Sequence, residues 1–353
     1  MDRIERFKAL DARDKRRAIS EFLVNNSLYF IILIAAIYIQ IRNPNFLSIS
    51  SITNVVSLTA ANLPIALGIA GTIVLTGTDL SAGRIVGLTA CVSAALLQSA
   101  TAGNKMFPEL QPVFIPLVIL LVMVIGAVIG LVNGFSVAKF GLHPFIVTLA
   151  TQLIVFGVLL RFLNMGNNHG GSIGNLAESY NNFIKGSIVA GLLKGTNLYI
   201  PNFIWFAILI TIIMWFIWNK TVFGKNMFAV GSNPQAAEVS GVNVHMTIIK
   251  VFVLAGMMYG LTGFIEGARI GSNQAATGQN YELDAIAACV IGGVSFVGGI
   301  GKISGIIIGV VLLRLILVGL VSLSISGDWQ YIIKGVIILV ACAIDMRKYL
   351  AKK

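Results

Sequence analysis

The sequence predicts an all-α membrane protein of about ten transmembrane helices, in two inverted five-helix halves, with both termini cytoplasmic. Three observations predict it. Hydrophobic residues make up 57% of the 353 and charged residues 11%, where a soluble domain carries about 25% charged residues. Too little polar surface is left to coat a soluble globule. The apolar runs are continuous over roughly 15 to 25 residues and do not alternate. They therefore read as helices rather than barrel strands, the other structure that satisfies its backbone in lipid. The basic residues behind the net charge of +11 collect at the two chain ends and on alternate loops, as in a chain oriented across a bilayer. The same composition, with three cysteines and no Gly-X-Y period, excludes a collagen, a disordered chain and a disulfide scaffold. Cys91, Cys289 and Cys342 all fall in apolar runs and read as small packing residues.

The chain opens on a basic segment, 1–21, in which Arg3, Arg6, Lys8, Arg13, Lys15, Arg16 and Arg17 interleave with acids. The first apolar run, 22–41, has no small-residue cleavage site behind it and reads as a span, not a removed leader. Further runs follow at 54–77, 83–99, 113–138, 144–162, 198–218, 246–268, 281–298, 302–325 and 329–346. The segment 22–346 thus reads as one transmembrane domain, and 347–353 as a basic cytoplasmic tail. Two basic ends on the same side require an even number of spans, which ten satisfies. With both ends inside, seventeen of the 25 basic residues fall on cytoplasmic segments and six outside, and Arg314 and Lys334 lie within spans. That bias favours this orientation over its inverse. The loop 163–197 falls outside and is rich in Asn, Gly and Ser. Its His169 has no second ligand at metal spacing and reads as a solvated loop residue. The loop 219–245 falls inside.

Two features suggest an internal repeat. Gly126, Gly130 and Gly134 in the fourth run, and Gly301, Gly305 and Gly309 in the ninth, form small-xxx-small stripes that let helix backbones touch. The runs lie five apart and so point in opposite senses, as in inverted-repeat transporters. The third run opens after Gly77–Gly83 (GTDLSAG) and the eighth after YELDAIA from Tyr281. Each places an acid at a helix N-terminus, where the dipole and free N–H groups favour an anion.

Catalytic chemistry is missing from the pattern. There is no GxxxxGK[ST]: Gly301-Lys302 is followed by Ile303, and Gly224-Lys225 by Asn226. There is no HExxH or CxxC, and none of His143, His169 and His245 has a carboxylate or cysteine close in sequence. No metal or cofactor is expected. The reading is transport with energy supplied from elsewhere, with an ion-driven secondary transporter as the alternative and a membrane-embedded enzyme ranked last. Polar residues in spans are costly and mark function, so Asn62, Thr76, Asp79, Asn133, Gln152 and Glu266 are candidates to line a path. Arg269, Arg314 and Lys334 are further intramembrane charges. Asp79 and Arg84 are spaced to pair or cap across a helix start, and Glu266 and Arg269, at i and i+3, read as a structural ion pair. No span gathers the amides, carboxylates and aromatic platform of a tight sugar site, so any path is expected to be weakly selective.

In the cytoplasmic loop, Asn233 can cap a short helix, Pro234 suits its first turn and Gly241 can end it in a left-handed conformation. Small Ala236 and Ala237 are expected on its surface, suited to a groove on a soluble partner. The stretch GSNPQAAEVSGV resembles the corresponding loop of bacterial sugar importer permeases of the ribose/branched-chain amino acid group, which are driven by an ATP-binding cassette. GTDLSAGRIVGL, YELDAIAACVIGGVSFVGGIG and WQYIIKG resemble the same group, and most of all its galactose/methyl-galactoside branch. The resemblance runs from Asn43 to Lys353. It implies a homodimeric permease of the bacterial inner membrane without its own ATPase site, for a monosaccharide such as galactose or, alternatively, ribose. The implied partners are a cytoplasmic ATP-binding cassette subunit and a periplasmic or extracellular sugar-binding protein, with no nucleic acid. The coupling role maps onto Asn233, Pro234, Ala236, Ala237, Glu238, Ser240 and Gly241.

Overall fold

In the computed structural model, which describes residues 11, 14–15, 27–189 and 199–350, six helices are long and apolar enough to cross a membrane. Most of the basic N-terminal segment, the start of the first apolar run, residues 190–198 with Lys194, and the last three residues lie outside the described part. The described residues form helices and two isolated β-bridges, with no strand among them. The helices are α1 (Ser27–Arg42), α2 (Ile49–Val74), α3 (Ala82–Leu96), α4 (Ile115–Phe140), α5 (Pro144–Leu163), α6 (Glu178–Lys185) and α7 (Asn202–Lys220). They continue as α8 (Val222–Ser232), α9 (Pro234–Val239), α10 (Val244–Ile270), α11 (Tyr281–Ile291), α12 (Ile303–Ser322) and α13 (Gly327–Leu350). The long apolar ones are α2, α4, α5, α7, α10 and α12.

Their ends follow local chemistry. Ser48 caps α2 by accepting from Ser51 N, and Asn243 caps α10 by accepting from Met246 N at 2.8 Å. Pro116 and Pro144 sit in the first turns of α4 and α5, where a missing N–H costs nothing. Gly141 and Gly271 follow α4 and α10 in the left-handed region.

The chain divides into two compact units, residues 48–314, and residues 1–47 with 315–353. In the smaller unit Asn43 Nδ2 donates to Ser322 O at 3.0 Å, and Gly319 faces Ile39 and Phe46. In the larger unit α2 and α10 are the central helices, and α2 is buried almost continuously from Thr59 to Val74. Helix α4 lies against α10 with backbone touching backbone, Gly126 on Gly256 and Gly130 on Phe252. The second glycine stripe has a different partner: Gly305 and Gly309 of α12 pack on Gly292 and Ala288, at and beside α11.

Two apolar runs expected as full helical spans are short helices instead. Helix α3 has 15 residues and is about 22 Å long, and α11 has 11 residues and is about 16 Å; neither matches a hydrocarbon core of about 30 Å. Each is preceded by an irregular stretch. At one end of the larger unit, Ala177 N bonds to Leu97 O and Ile173 pairs with Asn273. At the other end Gly299 N bonds to Val74 O, and Gly231 packs on the same carbonyl. Residues 75–96 therefore connect the two ends through a loop and then α3, and residues 274–299 connect them through a loop and then α11. The polar and glycine-rich loops TGTDLSA and SNQAATGQN precede the two helices; α3 nearly fills the run 83–99, whereas the run 281–298 is cut at Ile291, where Gly292 and Gly293, the latter at φ 81°, end α11.

Candidate functional site

The two short helices meet near their N-termini. A Cβ at Gly83 would lie 2.0 Å from Glu282 Oε2 and 2.4 Å from Gly278 O, and one at Gly87 would lie 2.3 Å from Thr277 O. Only glycine allows that approach. Both helix starts carry the expected acids: Asp79 precedes α3, and Glu282 and Asp284 lie in the first turn of α11.

Asp79 is fully buried, and its Oδ1 accepts from Ser81 N at 3.0 Å and Ser81 Oγ at 2.6 Å. Ser81 Oγ in turn accepts from Asn133 Nδ2 at 3.0 Å, and Asn133 Oδ1 accepts from Thr151 Oγ1 at 2.6 Å. Thr148 Oγ1 donates to Thr78 O and accepts from Leu80 N. This chain of bonds ties the loop before α3 to α4 and α5. Asp79 does not pair with Arg84: Arg84 Nη1 donates to Ala275 O at 3.1 Å, and its guanidinium lies 4.1 Å from the centroid of the Phe156 ring. Asp79 instead holds the turn into α3.

The remaining candidates occupy different places. Asn62 is buried and donates back to Leu58 O on its own helix at 2.8 Å. Thr76 is exposed at the end of α2 with φ 62°, beside Gly298. Gln152 is half-buried on α5. Glu266 is fully buried and forms the expected pair with Arg269, Nε to Oε1 at 2.9 Å and Nη2 to Oε2 at 2.7 Å; Tyr281 OH donates to Oε2 at 3.2 Å. Arg314 pairs with Asp284 at 3.1 Å, linking α12 to α11. Lys334 Nζ lies 5.6 Å from the Tyr331 ring centroid. Asn62, Asp79, Asn133 and Glu266 are thus engaged inside the chain. The sequence flags these residues as expensive, but Ser81 and Thr151 as partners of Asn133, Tyr281 as a partner of Glu266 and Asp284 as the partner of Arg314 lie on other elements, where no local spacing signals them.

Arg269→Met leaves the Glu266 carboxylate buried with only the Tyr281 hydroxyl. A buried pair broken from one side costs roughly 3–5 kcal/mol, so a much lower melting temperature in detergent is expected. Glu266→Gln combined with Arg269→Met should regain most of it. If the single variant melts no lower than the double, the pair is not what holds this region.

The loop between α7 and α10 forms the capped helix expected of it. Asn233 Oδ1 accepts from Ala236 N at 3.0 Å, Pro234 starts α9, and Gly241, at φ 82°, ends it with Gly241 N on Glu238 O and Val242 N on Ala237 O. One expectation is corrected. Ala237 is not on the surface; it is buried, 5% exposed, because its position on this one-and-a-half-turn helix points back at the chain. The exposed residues of α9 and its C-cap are Pro234, Gln235, Ala236, Glu238, Val239 and Ser240, with Val239 91% exposed. Gly231, two residues before Asn233, packs on the end of α2, and His245 at the start of α10 bonds Ala138 O near the end of α4. The segments on either side of α9 are thus in contact with the ends of α2 and α4.

Residues 51–342 match the family described as branched-chain amino acid transport system / permease component. The chain is 43% identical over 344 residues to the galactose/methyl galactoside import permease protein of Haemophilus influenzae, covering 98% of this chain and 100% of that one. It is 42% identical over 338 residues to the protein of the same description from Escherichia coli, covering 96% and 98%. It is 34% identical over 335 residues to the ribose import permease protein of Haemophilus influenzae, covering 95% and 96%. No solved structure matches the chain.

Proposed function

The chain belongs to the branched-chain amino acid transport system / permease component family, and from that premise we propose that it is the membrane-spanning subunit of an ATP-driven importer. Its cargo is a monosaccharide, galactose or methyl galactoside, carried across the bacterial cytoplasmic membrane. The observation that carries this choice is the identity of 43% and 42% to galactose/methyl galactoside permeases over nearly the whole chain, against 34% to a ribose permease of similar coverage.

In this reading the chain crosses the membrane ten times in two inverted halves, with both termini cytoplasmic. Helices α3 and α11 are the half-length members, each completing its crossing together with an irregular stretch, as broken helices do in other transporters. A homodimer encloses the path. A separate ATPase subunit docks on α9 and its caps, Asn233 to Gly241, and a sugar-binding protein docks on the opposite end, where residues 97–113 and 163–189 meet. Asp79, Asn133 and Glu266 hold together the elements that surround the path.

The test is galactose uptake into proteoliposomes. With ATPase subunit, binding protein and ATP present, uptake should exceed that of permease alone by at least about tenfold, since without the ATPase no free energy opposes the gradient. Uptake driven by a proton or sodium gradient in the absence of the ATPase would overturn the reading.

A further inference from the structure

The segment between α10 and α11 carries a feature that the helix packing leaves unexplained. It descends beside α3: Gln274 O lies by Cys91 Sγ, Ala275 O takes the Arg84 bond, and Thr277 and Gly278 lie against Gly87 and Gly83. Leu97 marks the end of the unit where Ala177 is bonded. Counting along α3 from Leu97, Gly87 is about 15 Å below that end and Gly83 about 21 Å, well inside a hydrocarbon core of about 30 Å. At this depth the backbone is irregular and Gln274, Ala276 and Gln279 are exposed, with Asn280 half-exposed. Among the described residues, the N–H groups of Ala275, Ala276 and Asn280 find no backbone acceptor.

Lipid cannot cover such a surface. Irregular backbone at membrane depth survives only when it is buried in protein or lines a water-filled cavity, and each unsatisfied polar group in hydrocarbon costs several kcal/mol. The geometry points to Gln274–Asn280 as a wall of the aqueous translocation path. The segment's own side chains carry no charge. The segment offers the amides of Gln274, Gln279 and Asn280 with free backbone N–H groups, while Arg84 is turned onto Ala275 O and Phe156, and Glu282 onto Gly83. Amide donors and acceptors without fixed charge suit the hydroxyls of an uncharged polyol and give no strong hold on an ion. The sugar as ligand rests on the reading above; the aqueous wall does not.

The experiment uses the complete importer, with Cys91, Cys289 and Cys342 replaced by Ala in a transport-competent background. Gln279→Cys and Ala276→Cys are exposed to a charged, water-soluble methanethiosulfonate. Leu153→Cys on α5, a site 67% exposed on an apolar face, is the reference. Labelling at 279 and 276 should be at least about tenfold faster than at 153, because an ionic reagent does not enter hydrocarbon. Galactose present during ATP turnover should slow it. Labelling no faster than at Leu153→Cys, with transport intact, overturns the wall. Fast labelling that galactose leaves unchanged supports the wall and counts against galactose as the cargo, so the two readings fail separately.

Discussion

Gly126→Leu should abolish the folded permease, whereas Gly157→Leu, on the neighbouring helix, should be nearly silent. A Cβ at Gly126 would sit 2.0 Å from Gly256 O, and a Cβ at Gly256 would sit 2.0 Å from Gly126 O. One step along the same crossing, Gly130 meets Phe252 O at 2.2 Å and Gly260 meets Val122 O at 2.2 Å. Every obstacle is backbone, so no rotamer change relieves it; α4 and α10 would have to separate along the whole contact. Forcing extra methylenes into a packed core costs about 1–3 kcal/mol where side chains can yield, and more is expected here. Against a total stability of about 5–15 kcal/mol, that is enough to lose the fold. Gly157 has nothing within 4 Å of its Cβ position and is exposed, so its substitution should stay within about 0.5 kcal/mol. Thermal denaturation in detergent separates the two. Equal melting temperatures would mean that the close crossing is not needed for stability.

This crossing also shows what could be read from the residues and what could not. The stripe Gly126, Gly130, Gly134 is legible because small residues at helical spacing announce a close neighbour. Its neighbour is not: the stripe lies on Gly256, Phe252 and Ile249 of α10, and nothing in the sequence singles out Gly256 and Gly260 among 37 glycines. The same division runs through the polar residues. The Glu266–Arg269 pair is written in its i, i+3 spacing, and the caps of α9 in Asn233, Pro234 and Gly241, because both are settled within one turn. Asn133 with Ser81, and Arg314 with Asp284, depend on how helices dock, which pair spacing does not encode. The shortness of α3 and α11 is hidden for a third reason. Hydropathy averages side chains and does not see the backbone, so 83–99 and 281–298 read as full helical spans. The break within 281–298 is carried by Gly292 and Gly293, the latter at φ 81°, and the irregular stretches before the two helices by Gly77, Gly278, Gln279 and Asn280, polar or conformationally free residues.

The other large effect is expected on α9, and there the structure redirects the mutations. Its outer face presents Ala236 and Val239, three residues apart and so on one side of the helix, while Ala237 is turned inward. An exposed apolar valine beside a small alanine fits a groove that accepts close approach. Ala236→Arg and Val239→Asp should therefore leave the amount of permease in the membrane unchanged, weaken co-purification of the ATPase subunit and nearly eliminate uptake. A central contact worth about 2 kcal/mol corresponds to roughly thirtyfold in affinity. Ala237→Arg should act differently, by disrupting the packing of the loop on its own chain and lowering stability. Gly241 gives an independent handle. Its φ is 82° and no atom lies within 4 Å of its Cβ position, so the cost of a side chain there is backbone strain alone. Gly241→Val should cost roughly 1–2 kcal/mol in the left-handed region and misdirect the exit from α9, with uptake lost. Gly241→Asn, which tolerates that conformation, should transport near normally. The contrast between valine and asparagine separates helix direction from side-chain bulk, since both are larger than glycine. If Ala236→Arg and Gly241→Val both transport normally in well-expressed permease, α9 does not transmit the work of the ATPase, and the coupling contact must lie elsewhere on the same end of the chain.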